Sequence, residues 1–445
     1  MKTSGKLSTG GTASLLTVMV LGICSSTALA QFGPVMSAAG PINRSMGGAS
    51  TAAPLSAAGA LMWNPATLSG LQRNELEVGA ELIFPHASVS SFYPANTFGP
   101  GAPPIDLTGQ SASEDSVFVM PTIALAFRPE NSDFTFGFGA FAVAGYGLDY
   151  AGSTSNPLLT PPPPVGLGFG PVFSQYQVLQ LAPALVYDVT DELSISISPL
   201  LDIGSAQLDP ASIAAPDDAN GDGFATYPRG THSQQSWGAG FSLGAYYQTE
   251  IWGFGASYKS PQWFQDYRFN SANELGVPQS FGFDLDIPSI VSIGTSYQGI
   301  ERLLLAADLR YLDYGNAAGF GDSGFKPTGA LRGIGLQSIF AASLGAQYQL
   351  TNAFSTRIGY SWSENPVSNN QSSANVASPL VIQNMLSAGA TYQMTSALSL
   401  SLAYTHAFEN SVSGPLVLPV GAIPGTRIRN TASVDMLTIG ATVKF

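Results

Sequence analysis

Apolar and polar residues alternate at every second position over long stretches of this chain. Leu398-Ser399-Leu400-Ser401-Leu402-Ala403-Tyr404 and Leu193-Ser194-Ile195-Ser196-Ile197-Ser198 are the clearest runs. Side chains of a strand point alternately to opposite faces, so each run has one greasy face and one face of small or polar residues. Such runs predict about fourteen strands, near 74–92, 116–128, 133–147, 174–189, 192–207, 234–249, 251–268, 280–298, 301–314, 337–350, 353–363, 380–394, 397–410 and 431–445. Six of them end on an aromatic residue followed by a tight polar turn, beginning at Phe127, Tyr187, Tyr247, Tyr297, Tyr348 and Tyr392. The other connections are long and rich in Gly, Pro, Ser and Asn. Short turns at one end, long loops at the other and aromatics at the short-turn end predict an all-β fold, a transmembrane antiparallel β-barrel.

The charges test this reading. If the turn aromatics mark the outward face, then Glu75, Glu77, Glu81, Asp202, Lys259, Asp284, Asp286, Asp308, Arg310, Arg357 and Lys444 all point inward. A charge facing lipid at mid-membrane costs roughly 2–4 kcal/mol for Arg or Lys, which accounts for sorting to one face. A soluble β-sandwich keeps the alternation and inverts the faces. The first thirty residues, the repeated aromatic–turn unit and the small inward residues argue for the barrel.

Residues 1–30 read as a secretory leader. Lys2 and Lys6 precede a short apolar stretch, and Ala28-Leu29-Ala30 is a small-x-small cleavage site. That stretch is too short to span a membrane, and no later run is long and apolar enough for a membrane helix. Cleavage after Ala30 removes the only cysteine, Cys24, so disulfide and thiol chemistry are excluded from the mature chain. Only 10% of residues are charged, against about a quarter in soluble chains. The net charge is −13 and becomes 14 − 29 = −15 without the leader, a balance that repels nucleic acid.

Residues 31–72 do not alternate. They are rich in Gly, Ala and Ser yet carry Phe32, Val35, Met46, Leu61, Met62, Trp63 and Leu68. That apolar content favours a plug folded inside the lumen over a disordered tail. Ser45-Met46-Gly47-Gly48-Ala49 through Trp63-Asn64-Pro65-Ala66 resembles the N-terminal hatch of the FadL/TodX-type outer-membrane transporters for long-chain fatty acids and other hydrophobic compounds. The resemblance covers essentially the whole mature chain: hatch, strand count, length and terminal Phe445. After the leader at 1–30, it implies a hatch at 31–72 with Asn64, Pro65 and Ala66 as its motif, and a fourteen-stranded barrel at 73–445. It further implies capture of ligand among the extracellular loops, passage to a lumenal pocket and sideways release at a kinked third strand. That strand here holds Gly137, Gly139, Gly145 and Gly147, which fit either a kink or close packing against the hatch.

The chemistry follows from the route. Leaving an apolar phase costs about 0.8 kcal/mol per CH₂, so a water-filled pore helps a greasy solute little. The loops at 154–173 and 411–426 are apolar, with Leu158, Leu159, Pro161 to Pro164, Phe169, Leu416 and Val420. A carboxylate head group needs a cation; the candidates are Lys259, Arg310 and Arg357 in the lumen and Lys326 and Arg332 in a loop. Arg310 also reads as a structural partner of Asp284, Asp286 or Asp308, so the ligand is either a long-chain fatty acid or a neutral hydrophobic molecule. Asp218, Asn220 and Asp222 open a weak calcium-loop pattern, but Arg229 stands where its closing Glu belongs. No cofactor is expected. An enzyme is not expected either: only His86, His232 and His406 could act as base, with no paired Ser or acid. The alternatives are a general diffusion porin and a barrel-embedded surface hydrolase. The expected setting is the Gram-negative outer membrane, as a monomer among lipid and lipopolysaccharide.

Overall fold

The computed structural model describes residues 32–99, 101–114, 117–230 and 234–445; the leader at 1–30 lies outside them. Fourteen antiparallel strands close into a barrel. They are β1 (Glu75–Tyr93), β2 (Phe118–Phe127), β3 (Phe134–Tyr150), β4 (Val172–Asp188), β5 (Leu193–Asp209), β6 (Gln234–Gln248), β7 (Trp252–Lys259), β8 (Ile290–Ile300), β9 (Leu303–Leu312), β10 (Ile339–Thr351), β11 (Phe354–Ser363), β12 (Asn384–Gln393), β13 (Leu398–Gly414) and β14 (Arg427–Lys444). Each pairs with its neighbours in sequence, and β14 returns to β1 from Glu75↔Lys444 to Phe92↔Arg427. The sheet thus closes on itself, as a bilayer requires. The faces sort as the alternation predicts: Leu400, Leu402 and Tyr404 stand outward about half exposed, while Ser399, Ser401 and Ala403 are buried inward.

Two predicted strands end earlier than the alternation suggests. The run at 251–268 is interrupted after Lys259, touches the barrel sheet again only at Trp263–Phe264, which pair with β6, and then leaves it, while that at 280–298 joins it only at Ile290. Pro261 and Pro288 sit at these breaks, and proline cannot donate to a ladder. The residues between fold back over the lumen, where Phe264, Tyr267, Leu285 and Ile287 join the apolar core. Tyr267–Ala272 pairs with Pro278–Phe283 on one side and with Arg229–Gly230 on the other in a small separate sheet. Asp284 and Asp286 therefore lie in this loop region and not on the inner wall, which corrects their inward assignment. Burial, then a hydrogen bond that protonated Asp284 donates to Asp266, then repulsion from Asp266, Asp286 and Asp322 push the Asp284 carboxyl above the usual range.

Residues 32–71 lie within the barrel. They form α1 (Gly40–Ser45), α2 (Ala57–Trp63) and a 3₁₀ turn, Pro65–Gly70. Ser56 caps α2 by accepting from Gly59 N–H, and Pro41 opens α1 where a missing donor costs nothing. From Phe32 to Leu68 all but Pro54 and Leu55 are buried. One apolar core runs from Leu61 and Trp63 through Phe118, Phe141 and Tyr176 to Tyr314 and Phe320, which come from the long loop after β9.

Candidate functional site

The inward carboxylates hold the hatch. Helix α2 leaves its first N–H groups without partners inside the helix; Ala57 N–H donates to Glu75 at 2.8 Å and Ala58 N–H to Glu77 at 3.2 Å. Arg44 pairs with Glu81 at 2.7 Å. Asp308 Oδ2 accepts from Ser50 N–H (2.8 Å), Thr51 N–H (2.9 Å), Thr51 Oγ1 (2.8 Å) and Arg310 (2.5 Å). Asn64 is a clamp: its amide donates to the carbonyls of Thr51 (2.8 Å) and Ala245 (3.0 Å), and its Oδ1 accepts from Ala66 N–H (3.2 Å). Pro65 starts the 3₁₀ turn, and both Pro65 and Ala66 are buried.

Glycines let the hatch touch the wall. A Cβ at Gly255 would sit 1.9 Å from the Thr51 carbonyl oxygen, and one at Gly359 only 2.0 Å from Gly47 N. Gly244 makes room for Asn64, Gly345 for Met46 and Gly440 for Pro41. Gly255 faces Gly294, Gly345 faces Gly359 and Gly79 faces Gly440 across neighbouring strands. Sequence reasoning passed over this belt, although the signal was present as glycine recurring on inward positions of otherwise β-favouring strands.

The lumenal cations are engaged. Arg310 also donates to Gly48 O at 2.8 Å and Ser343 Oγ at 3.0 Å, and its guanidinium stacks 3.8 Å over Trp63. Its acidic partner is Asp308, not Asp284 or Asp286. Lys259 reaches Gln180 Oε1 at 3.5 Å, and Gln180 Nε2 donates to Asp202 at 2.8 Å. Arg357 donates to Gln347, Thr391 and Ser355. Lys326 and Arg332 are exposed on the loop after β9, where Arg332 donates to Phe325 O.

The third strand is broken, but not at all four glycines. Pairing of β3 with β2 stops at Thr122↔Phe141. Two residues later Val143 forms a bulge in the pairing with β4, between Ala142↔Leu179 and Ala144↔Val178. The bulge bends the strand and turns Ala144, Tyr146 and Leu148 inward. The strand edge so exposed is taken by the hatch: Met36 N–H donates to Val143 O and Gly145 N–H to Pro34 O, both at 2.9 Å. Gly137 lies before the bulge and packs on Leu61 and Leu68; Gly139 faces Phe141 and Leu61. Gly145 and Gly147 lie beyond the bulge, in the part without β2.

The extracellular loops enclose an apolar groove of about 710 Å³. Phe98, the Pro162–Pro164 run, Phe169, Phe224, Tyr227 and Leu416 line it, and no charged side chain does. A smaller space of about 70 Å³ shares Phe169, Tyr227 and Leu416 and continues to Val172 and Leu331. The Asp218–Gly223 turn closes on itself, with Asp218 accepting from Gly223 N–H and Asn220 from Asp222 N–H; among the described residues no acidic and His cluster is arranged for a metal. His406 and His86 flank Asp435 on the outer wall, at 2.8 and 3.8 Å. His232 lies outside the described residues.

A family model for outer membrane protein transport protein (OMPP1/FadL/TodX) matches residues 20–445. The fold is similar to the Pseudomonas putida toluene transporter TodX, with TM-score 0.66 and 19% identity over 92% of this chain and 99% of that one. The Ralstonia pickettii toluene transporter TbuX gives the same TM-score, 0.66, and identity, 19%, over 92% and 99% of the two chains. A Pseudomonas aeruginosa FadL homologue gives 0.65 and 18%, over 95% and 99%. No curated protein matches the sequence. Identities of this size speak to the fold alone.

Proposed function

The chain belongs to the outer membrane protein transport protein family (OMPP1/FadL/TodX), and from that premise we propose that it carries uncharged hydrophobic molecules across the outer leaflet and releases them sideways into the membrane. Capture takes place in the loop groove, whose volume suits a small ligand and whose lining has no cation for a carboxylate. The filled lumen disfavours a straight aqueous passage. Lateral exit between β2 and β3 keeps the solute in apolar surroundings, so it never bears the cost of about 0.8 kcal/mol per CH₂ for entering water. The observation that carries this reading is the β2–β3 ladder ending at Phe141, with hatch backbone in place of the missing strand partner. A long-chain fatty acid is the competing cargo; its head group would have to displace a partner of Lys259, Arg310 or Arg357.

Deleting Val143 tests the exit. It removes the extra residue, restores strict alternation and lets β3 straighten against β2. Cells making the wild type are expected to take up labelled toluene faster than cells without it. Uptake should drop to background in the deletion variant while the barrel still folds. Undiminished uptake by a folded variant would reject lateral exit. Uptake of labelled oleate in preference to toluene would reject the uncharged cargo.

A further inference from the structure

The outer wall of the barrel is apolar over most of its height, because a charge there meets lipid. One sector departs from this. On β14, Ile428 and Asn430 are buried toward the lumen, so Arg427 and Arg429 stand outward and exposed. Among the described barrel strands they are the only Lys or Arg on the outer face; Lys259, Arg310 and Arg357 are buried inward and Lys444 lies across from inward Glu75. Arg429 is flanked across the ladder by Ser90 of β1 and Ser413 of β13, and donates to Ser411 Oγ at 2.9 Å. The strand Leu107–Ala112, paired to β1, extends the same face with Thr108 and Gln110. Of the carboxylates near this sector, Glu409 and Asp435 lie lower on the wall, and Asp106, next to the strand Leu107–Ala112, accepts from Ala95 N–H at 2.9 Å.

Asp435 marks the upper edge of the apolar wall. It accepts from Tyr404 Oη at 2.5 Å, lies beside His406 and His86, and has outward Phe408 nearby on β13. Arg429 is 435 − 429 = 6 residues above it. At about 3.4 Å per residue and a strand tilt near 40°, the guanidinium groups stand about 15 Å above that edge.

We propose that this sector binds the phosphorylated saccharide of lipopolysaccharide in the outer leaflet. Charge complementarity carries the assignment. On a chain of net charge −13, two guanidinium groups on successive outward positions are a local concentration of positive charge. The planar guanidinium fork matches phosphate bidentately. The surrounding hydroxyls and the Gln110 amide match sugar hydroxyl groups. Height separates the two anionic lipids: a phospholipid head group meets the wall at the level of Asp435, whereas phosphates on the saccharide stand above it. A lipopolysaccharide held on β1, β13 and β14 also borders β2 and the discontinuity between β2 and β3.

The test uses the full barrel in detergent and native mass spectrometry with three probes: phosphorylated rough lipopolysaccharide, the same molecule after enzymatic dephosphorylation, and phosphatidylglycerol. The comparison protein is Arg427→Ser/Arg429→Ser, whose fold is checked by its heat-modifiable gel mobility. The wild type should retain the phosphorylated probe about tenfold or more better than the double variant does, and the dephosphorylated probe should bind both proteins equally weakly. Equal retention by wild type and variant, or no dependence on phosphate, would overturn the site. Phosphatidylglycerol retained as well as lipopolysaccharide would overturn the choice of partner. Toluene uptake by the double variant reports separately on transport.

Discussion

Asp308 shows how a single buried charge ties two parts of the chain together. Its side chain is fully buried, and one oxygen accepts two backbone N–H groups and a hydroxyl of the hatch as well as Arg310. Taking one partner out of a buried ion pair leaves the other uncompensated, which costs about 3–5 kcal/mol. Asp308→Ala should therefore lower the unfolding free energy of the refolded barrel by about that amount, measured by urea titration with gel mobility as the readout. An exposed carboxylate such as Glu301, half of a surface pair with Arg302 at 3.5 Å, should change it by well under about 1 kcal/mol. Alternation in the sequence placed Asp308, Arg310, Glu75, Glu77 and Glu81 on the inner face, because a period of two depends only on neighbours in the chain. It could not say what they hold. Thr51 lies 257 positions from Asp308, and nothing local to either residue records that contact. The same local rule misplaced Asp284 and Asp286, since alternation continues across a proline that ends the ladder.

At the scale of strands and helices, the belt of inward glycines and the bulge do most to shape the site. The glycines bring hatch backbone against strand backbone with no side chain between. Gly359→Val places methyl groups where Gly47 N and the Met46 carbonyl carbon already sit, 2.0 and 2.2 Å from a Cβ. Overpacking of this kind costs about 1–3 kcal/mol, and here the hatch, with fewer ladder bonds than the wall, is the part expected to yield. Trypsin should then cleave after Arg44, which is 1% exposed in the intact protein, while the barrel keeps its folded mobility. Protection of Arg44 in a folded Gly359→Val barrel would mean that the wall moved instead. Of these features the strands were legible, since fourteen runs of alternation match fourteen strands. The bulge was not. Phe141 to Leu148 reads Phe-Ala-Val-Ala-Gly-Tyr-Gly-Leu, in which nearly every residue is apolar or small, so a change of face leaves no trace in the pattern. The four glycines lie on the strand that carries the bulge, but Gly137 and Gly139 pack against the hatch or its neighbours.

For the molecule as a whole, the filled lumen decides between a conduit for greasy solutes and a pore for polar ones. The hatch occupies the lumen, and Leu285, Ile287, Tyr314, Phe320 and Leu380 to Ile382 from three long loops continue its apolar core above it. The packed core is apolar, whereas porins conduct through open lumens lined by polar groups. In a planar bilayer the intact protein should therefore show little steady ion current. Deleting residues 32–71 should change both the size and the selectivity of the current. Glu75, Glu77, Glu81, Asp202 and Asp308 would then face water from the wall, against Lys259, Arg310 and Arg357. Carboxylates outnumber cations there, and rings of Asp and Glu favour cations. The deletion variant, folded by gel mobility, should conduct roughly tenfold more than the intact protein and pass potassium in preference to chloride. A large current through the intact protein would instead favour the porin reading, because it would require a continuous aqueous path past Trp63 and Arg310.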